Sequence, residues 1–278
     1  MDAGTETRAK AAPRRSGPAL LRTILLAVAA VLALAYLGLC LLLYTRQRDA
    51  VYFPALTRVE AASTDLELRS GDTTLRGWVV NPGQRDALVY FGGNAERIEH
   101  WRERFGQWFG DRSVYLVAYR GYGASDGVPG EEALLADAVA VYDQIRSRHP
   151  DGDIGVVGRS LGTGVAAWVA SQRPVRKLAL DTPFDSLAEV GQAHYPWLPV
   201  RWLARERYPA AQYLQDYRGE ILVLRAGQDS IVPAANTDRL LWALPDQAPV
   251  RVVEFPGLGH VDLADDPGYG EALSGFMR

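Results

Sequence analysis

Hydrophobic and polar positions divide the chain near residue 45. Thr23–Tyr44 is an uninterrupted run of 22 residues without a charge, flanked by polar segments. As a helix rising about 1.5 Å per residue it would span roughly 33 Å, enough for a hydrocarbon core of about 30 Å. Beyond it the apolar residues fall into short runs that alternate with amphipathic stretches. Asp65–Arg69 and Thr74–Val80 predict an opening β-hairpin with Gly71-Asp72 as its turn. Ala87–Phe91, Val114–Ala118, Asp153–Val157, Val175–Leu180, Ile221–Arg225 and Val250–Phe255 predict further strands. Glu96–Phe109, Glu131–Arg148, Leu161–Ser171, Ala235–Ala243 and Asp265–Phe276 predict helices. In Glu131–Arg148, Leu134, Leu135, Ala138, Val141, Tyr142 and Ile145 share one face. Strands alternating with helices imply right-handed crossovers and an α/β domain with a mostly parallel sheet covered on both faces.

The expected organisation is a basic N-terminus over residues 1–18, a transmembrane helix over 19–45 and an α/β domain over 49–278. A short cap-like insertion is expected near 188–217. A cleaved signal peptide would have an apolar region of about 7–15 residues and a small-residue cleavage site. This run is longer, and Leu41–Arg48 offers no such site. Lipoprotein processing at Cys40 fits poorly, because bulky Leu39 precedes it and the apolar run continues past it. Twin-arginine export at Arg14-Arg15 fits poorly with Ser16-Gly17-Pro18 following. A retained membrane anchor is therefore expected. Arg8, Lys10, Arg14, Arg15 and Arg22 before the run outnumber Arg46, Arg48 and Arg58 after it. That asymmetry favours a cytoplasmic N-terminus, with the large domain on the extracytoplasmic side.

Charge removes other partners. Met1–Arg48 holds two of the 33 acids and seven of the 30 bases, which leaves the remaining chain at about −8. An electrostatic nucleic-acid binder is thus disfavoured. Cys40 is the only cysteine, so no intramolecular disulfide can form. The four histidines are scattered without metal-ligand spacing. No cofactor and no metal are expected, and the oligomeric state is left open.

The chemistry centres on Gly158-Arg159-Ser160-Leu161-Gly162, between a predicted strand and a predicted helix. A G-x-S-x-G turn in that context holds the serine in a strained backbone conformation with its hydroxyl exposed above the sheet. Its neighbours two residues away must lack bulk, hence the glycines. A serine hydroxyl needs a base. His260 follows the last strand in Gly257-Leu258-Gly259-His260, beyond the serine as the order Ser, acid, His demands. His100 falls in a predicted surface helix, His149 at a helix end and His194 in an irregular aromatic stretch. Asp229, in the loop one strand before His260, is the candidate acid, with Asp262 as competitor. An Asp in such a loop can also form a cap or Asx turn, but order and placement favour the functional reading of Asp229, while Asp262 is expected to cap the final helix or brace its loop. Backbone N–H groups of Leu161 and Asn94 are the candidate oxyanion hole. Gln192–Tyr217 is rich in Tyr and Trp and reads either as an apolar acyl pocket near the membrane or as a small helical region packed on the core. Tyr195 and Trp197 there, with Tyr122, are the candidate substrate-binding residues.

These segments together resemble the α/β-hydrolase superfamily of serine hydrolases. The resemblance is greatest to the membrane-anchored α/β-hydrolase domain-containing proteins, grouped with serine aminopeptidase-like hydrolases. The matching stretches cover most of the chain after the apolar run. They are Tyr44-Thr45-Arg46-Gln47 leading to Tyr52-Phe53-Pro54, Tyr90–Ala95, Tyr119–Gly127, Gly158–Gly164, Asp181–Ser186, Tyr195–Val200 and Gly259–Asp262. Three positions depart from the pattern: Gly92 where His is usual, Val261 where Asn is common and Asp181 where Glu is frequent. Loss of the His removes a side chain that could brace the oxyanion loop. The resemblance implies an α/β-hydrolase fold and an ester or thioester hydrolase, whose substrate could be a lipid or an acylated protein. Some relatives remove fatty acyl groups from cysteines of membrane proteins.

Two rival readings remain. Gly158–Gly164 also fits a G-x-x-x-G-x-G dinucleotide turn, with Asp181 about 20 residues on as a ribose-binding acid of an NAD(P)-dependent dehydrogenase. However, several elements precede it. A Tyr-x-x-x-Lys pair is also impossible, because Lys10 and Lys177 are the only lysines and residue 173 is Arg. A catalytically inactive membrane-tethered binding protein is the other.

Overall fold

The computed structural model describes residues 17–278. The expected basic segment at Arg8, Lys10, Arg14 and Arg15 lies outside the described residues. The described residues fall into two units that divide between Thr45 and Arg46.

Helix α1 is Gly17–Val51. Over the first unit its large side chains point outward; Leu25, Val31 and Leu34 are 60%, 65% and 69% exposed. Thr23 and Thr45 return their hydroxyl protons to the carbonyls of Ala19 and Leu41, at 2.9 and 3.0 Å. This helix is long and apolar enough to cross a membrane.

The second unit is built on one eight-stranded sheet. The strands are β1 Leu66–Ser70, β2 Thr73–Val80, β3 Asp86–Phe91, β4 Arg112–Val117, β5 Ile154–Arg159, β6 Lys177–Asp181, β7 Glu220–Ala226 and β8 Val250–Phe255. Their order is β1-β2-β4-β3-β5-β6-β7-β8. β2 pairs antiparallel with β1 and β4, and every other pairing is parallel. The helices after α1 are α2 Trp101–Trp108, α3 Glu131–Arg148, α4 Leu161–Gln172, α5 Leu187–His194, α6 Val200–Leu203, α7 Ala210–Tyr213, α8 Ala234–Ala243 and α9 Pro267–Met277.

The apolar runs explain the layering. Ala87, Leu88, Val89 and Tyr90 of β3 are wholly buried, as a central parallel strand covered on both faces requires. α3 buries the stripe from Leu134 to Ile145 and carries Glu131 and Glu132 in its first turn and Arg146 and Arg148 in its last, matching its dipole. α4 is buried along most of its length.

Two helix starts differ from the sequence pattern. Helix is expected from Glu96, but a 3-10 turn at Ile98–His100 precedes α2. The Glu96 side chain instead reaches back to the Gly93 N–H. At the C-terminus a 3-10 turn at Leu263–Asp265 comes first, and α9 starts at Pro267, which suits a first turn. Asp266, not Asp262, caps α9 by accepting from Gly268 N–H.

Candidate active site

The C-terminal ends of β3, β5, β6, β7 and β8 carry the loops in question, as expected for a ligand site on an open parallel sheet. Ser160 joins β5 to α4 with φ 50° and ψ −119°, a region L-residues seldom occupy. The flanking glycines are required sterically. A Cβ on Gly162 would run into the Phe91 carbonyl, and one on Gly158 would meet the Gly162 carbonyl and lie 2.7 Å from the Ala166 Cβ. Ser160 N–H donates to the Asp181 carbonyl at 2.9 Å, which ties the turn to β6.

The structure brings Ser160, His260 and Asp229 into one chain of hydrogen bonds. The Ser160 hydroxyl donates to Nε2 of His260 at 2.8 Å, and Nδ1–H of His260 donates to Oδ2 of Asp229 at 2.8 Å. These proton positions follow from Asp229 being an acceptor. The other carboxylate oxygen accepts from Ile231 and Val232 N–H at 2.8 and 2.7 Å. Asp229 therefore forms the Asx turn as well as the imidazole contact. The His260 and Asp229 side chains are 9% and 6% exposed.

The other histidines lie elsewhere. His100 is exposed at the end of a 3-10 turn. His149 is buried, accepting from the Tyr115 hydroxyl at 2.8 Å and donating to the Arg85 carbonyl at 3.0 Å. His194 ends α5, and its Nε2–H donates to the Ile231 carbonyl at 2.8 Å.

Leu161 is the first residue of α4, where backbone N–H groups have no acceptor within the helix. The Gly92–Ala95 loop packs against the serine: a Cβ on Gly93 would lie 3.4 Å from Ser160 Cβ. Ala95 turns this loop with φ 57°. Asn94 Oδ1 accepts from the Tyr122 hydroxyl at 3.1 Å, and that hydroxyl accepts from Phe53 N–H at 3.1 Å. Tyr122 is 3% exposed. It is therefore not an open substrate surface but a post behind the Gly92–Ala95 loop. Burial pushes its phenol up to about 12. The cavity between it and Gly92–Gly93 holds only about 10 Å³, room for about one water. Tyr195 and Trp197 are 54% and 58% exposed. They follow His194, whose bond to Ile231 sets this segment beside the Asp229 loop.

Asp181 does not present a ribose-binding acid. It is 1% exposed, and its Oδ2 lies 3.2 Å from Arg159 Nε and accepts from the Tyr269 hydroxyl at 3.0 Å. Sequence reasoning missed Glu96 and Arg159, which meet beside the serine. The signal for Glu96 was its spacing: an acid three residues past Gly93 is the returning half of a capping box.

Comparison with known proteins extends this description. The α/β-hydrolase fold family matches residues 86–208. An uncharacterized protein of Mycobacterium tuberculosis is 38% identical over 251 residues, covering 85% of this chain and 88% of that protein. The alpha/beta hydrolase domain-containing protein WAV2 of Arabidopsis thaliana is 28% identical over 257 residues, covering 80% and 83% respectively. Among solved structures, a Pyrococcus furiosus esterase superposes with a TM-score of 0.62 at 18% identity, over 77% of this chain and 89% of that one. The fold is thus that of a hydrolase. The chain belongs to the α/β-hydrolase family.

Proposed function

We propose that the chain is a serine hydrolase that cleaves carboxylic esters or thioesters through an acyl-enzyme on Ser160. The observation that carries this reading is the continuous hydrogen-bonded path from Ser160 through His260 to Asp229, with the serine on a strained strand-to-helix turn. The serine Oγ attacks the acyl carbon as His260 takes its proton. Asp229 holds the ring and stabilises the imidazolium. The N–H groups of Leu161 and Asn94 receive the negative charge on the carbonyl oxygen. When the tetrahedral intermediate collapses, the bond to the leaving oxygen or sulfur breaks and His260 protonates that atom. Water then adds to the acyl-enzyme, giving up a proton to His260, and the acid leaves as Ser160 recovers its proton.

The acyl group is read as apolar because Tyr195 and Trp197 offer exposed aromatic surface beside the Asp229 loop. A lipid or an acylated protein fits a catalytic domain over 49–278 tethered by a transmembrane helix over 19–45. The basic excess before that helix supports a cytoplasmic N-terminus over 1–18, with the catalytic domain outside. The similarity to esterases of known structure supports the reaction class. The test is a panel of nitrophenyl esters and acyl thioesters of increasing chain length. The wild type should hydrolyse members of the panel, and Ser160→Ala should fall to background, a loss of up to about 10⁶ in kcat. Full activity in S160A would refute the mechanism.

A further inference from the structure

Glu96 and Arg159 form a buried ion pair beside the serine, with side chains 9% and 13% exposed and a contact of 2.6 Å. The Glu96 carboxylate is saturated with donors. Oε2 accepts from Gly93 N–H at 2.5 Å and the Tyr90 hydroxyl at 2.9 Å, and Oε1 from Trp101 Nε1–H at 2.7 Å and the Arg159 guanidinium. Gly93 immediately precedes Asn94, so Glu96 fixes the peptide adjoining the one that carries the candidate oxyanion donor. Arg159, immediately before Ser160, reaches the other side of the site. One of its terminal nitrogens lies 3.4 Å from the carbonyl oxygens of both His260 and Val261, and its Nε lies 3.2 Å from Asp181. The guanidinium also stands 5.8 Å from the centre of the Trp101 ring. Burial works against its charge, but Glu96 and Asp181 more than offset this and hold Arg159 firmly protonated.

Gly92 leaves room for this arrangement: a Cβ there would lie 2.6 Å from Ile98 Cγ2 and 3.0 Å from Glu96 Oε2.

We infer that Glu96 and Arg159 act as a joint positioning device, in which one ion pair fixes the oxyanion loop after β3 and the histidine loop after β8 relative to Ser160. This rests on the serine-hydrolase reading and deepens it. A buried pair is poor value as a source of stability alone, because desolvation of both charges opposes its attraction. Its reach into both loops gives it a positioning role. Bracing acts on the transition state, because the oxyanion donors must already point at the charge when it appears.

Two variants test this. Glu96→Gln keeps the shape but puts an NH₂ where an oxygen accepted. Whichever way the amide faces, a donor from the Gly93 side or the Arg159 side loses its acceptor. Arg159→Lys keeps a buried charge but lacks the planar fork that serves Glu96, Asp181 and the two carbonyls together. Full-length protein in detergent is titrated with a fluorophosphonate, so that turnover is counted per reactive serine. A trifluoromethyl ketone, to which the serine adds to form a bound oxyanion, reads the oxyanion site directly. We expect kcat per titrated site to fall about 10- to 100-fold in either variant. KM should stay within about threefold, and the ketone inhibition constant should rise in parallel with the loss in kcat. Unchanged kcat per titrated site in E96Q and R159K would overturn the inference. So would a loss carried by KM, or a loss of kcat with an unchanged ketone constant. Wild-type protein that takes up no fluorophosphonate would overturn the serine-hydrolase reading along with it. Normal uptake with unaffected variants overturns this inference alone.

Discussion

Nδ1 of His260 lies 2.8 Å from Oδ2 of Asp229 across 31 residues of sequence, and the same carboxylate is pinned by two backbone N–H groups of its own loop. The carboxylate is thereby oriented by its own loop. Asp229→Asn preserves size but favours the wrong imidazole tautomer, because the amide can donate to Nδ1. Ester turnover should fall about 10⁴-fold in kcat, with folding little changed. Steady-state kinetics and a urea melt on the same preparation check this.

The serine turn has no room for a methyl group at Gly162, whose Cβ would meet the Phe91 carbonyl. Gly162→Ala should destabilise the protein by about 1–3 kcal/mol by forcing β3 and α4 apart. It should also depress turnover, because the same displacement moves the Gly92–Ala95 loop. Chemical denaturation against wild type measures the first effect and the ester assay the second.

Two buried carboxylates should titrate with opposite sign. Burial, partly offset by Arg159 and the Tyr269 hydroxyl, pushes Asp181 up to about 6. Its Oδ1 makes no hydrogen bond among the described residues. The folded state therefore binds a proton more tightly than the unfolded chain, and this group's contribution to stability falls as pH rises from about 4 to about 6. Relative to full protonation the cost reaches on the order of 3 kcal/mol above that window. Asp181→Asn should remove that slope. Glu206 behaves in reverse. Burial would raise it, but the Tyr52 hydroxyl at 2.5 Å, Arg48 Nε at 2.8 Å and Glu131 N–H at 2.6 Å hold it below the usual range. Its contribution is present above the ordinary carboxylate pKa and is lost as pH falls through the depressed folded value. Glu206→Gln should flatten the acid limb. Urea midpoints of the three proteins from pH 3 to 8 test both signs.

Much of the frame was legible in residue patterns. The Gly71-Asp72 turn falls between β1 and β2, and α3 covers Glu131–Arg148 as its stripe of apolar residues requires. G-x-S-x-G could be read because a local steric demand ties glycine to fixed offsets from Ser160. What escaped reading was non-local. The partners of Arg159 come from residues 96, 181, 260 and 261, and a buried ion pair between distant segments leaves no periodic trace. Helix starts escaped for a related reason. Glu96 scores as a helix former, but its side chain is used by Gly93, so α2 begins only at Trp101. Tyr122 looked like pocket surface because aromatic content does not reveal burial, whereas its hydroxyl joins Phe53 to Asn94.

The apolar helix over Thr23–Tyr44 makes a separable prediction. The full chain should stay with the membrane fraction through an alkaline carbonate wash and come free only in detergent. Release by carbonate would contradict a spanning helix. Protease added to intact and to opened vesicles reads orientation: with the N-terminus cytoplasmic, the catalytic domain is cut only from the extracytoplasmic side.

The most direct measurement concerns Ser160 itself. Fluorophosphonate reacts when a serine oxygen is activated enough to displace fluoride at phosphorus, so its uptake reports the proton path to His260. Mass spectrometry of digested, probe-treated protein should find one phosphonyl group on the peptide containing Ser160. Labelling should be lost in Ser160→Ala and greatly slowed in an otherwise folded His260→Ala. A folded wild-type protein left unlabelled, or either variant labelled as fast as wild type, would contradict the account.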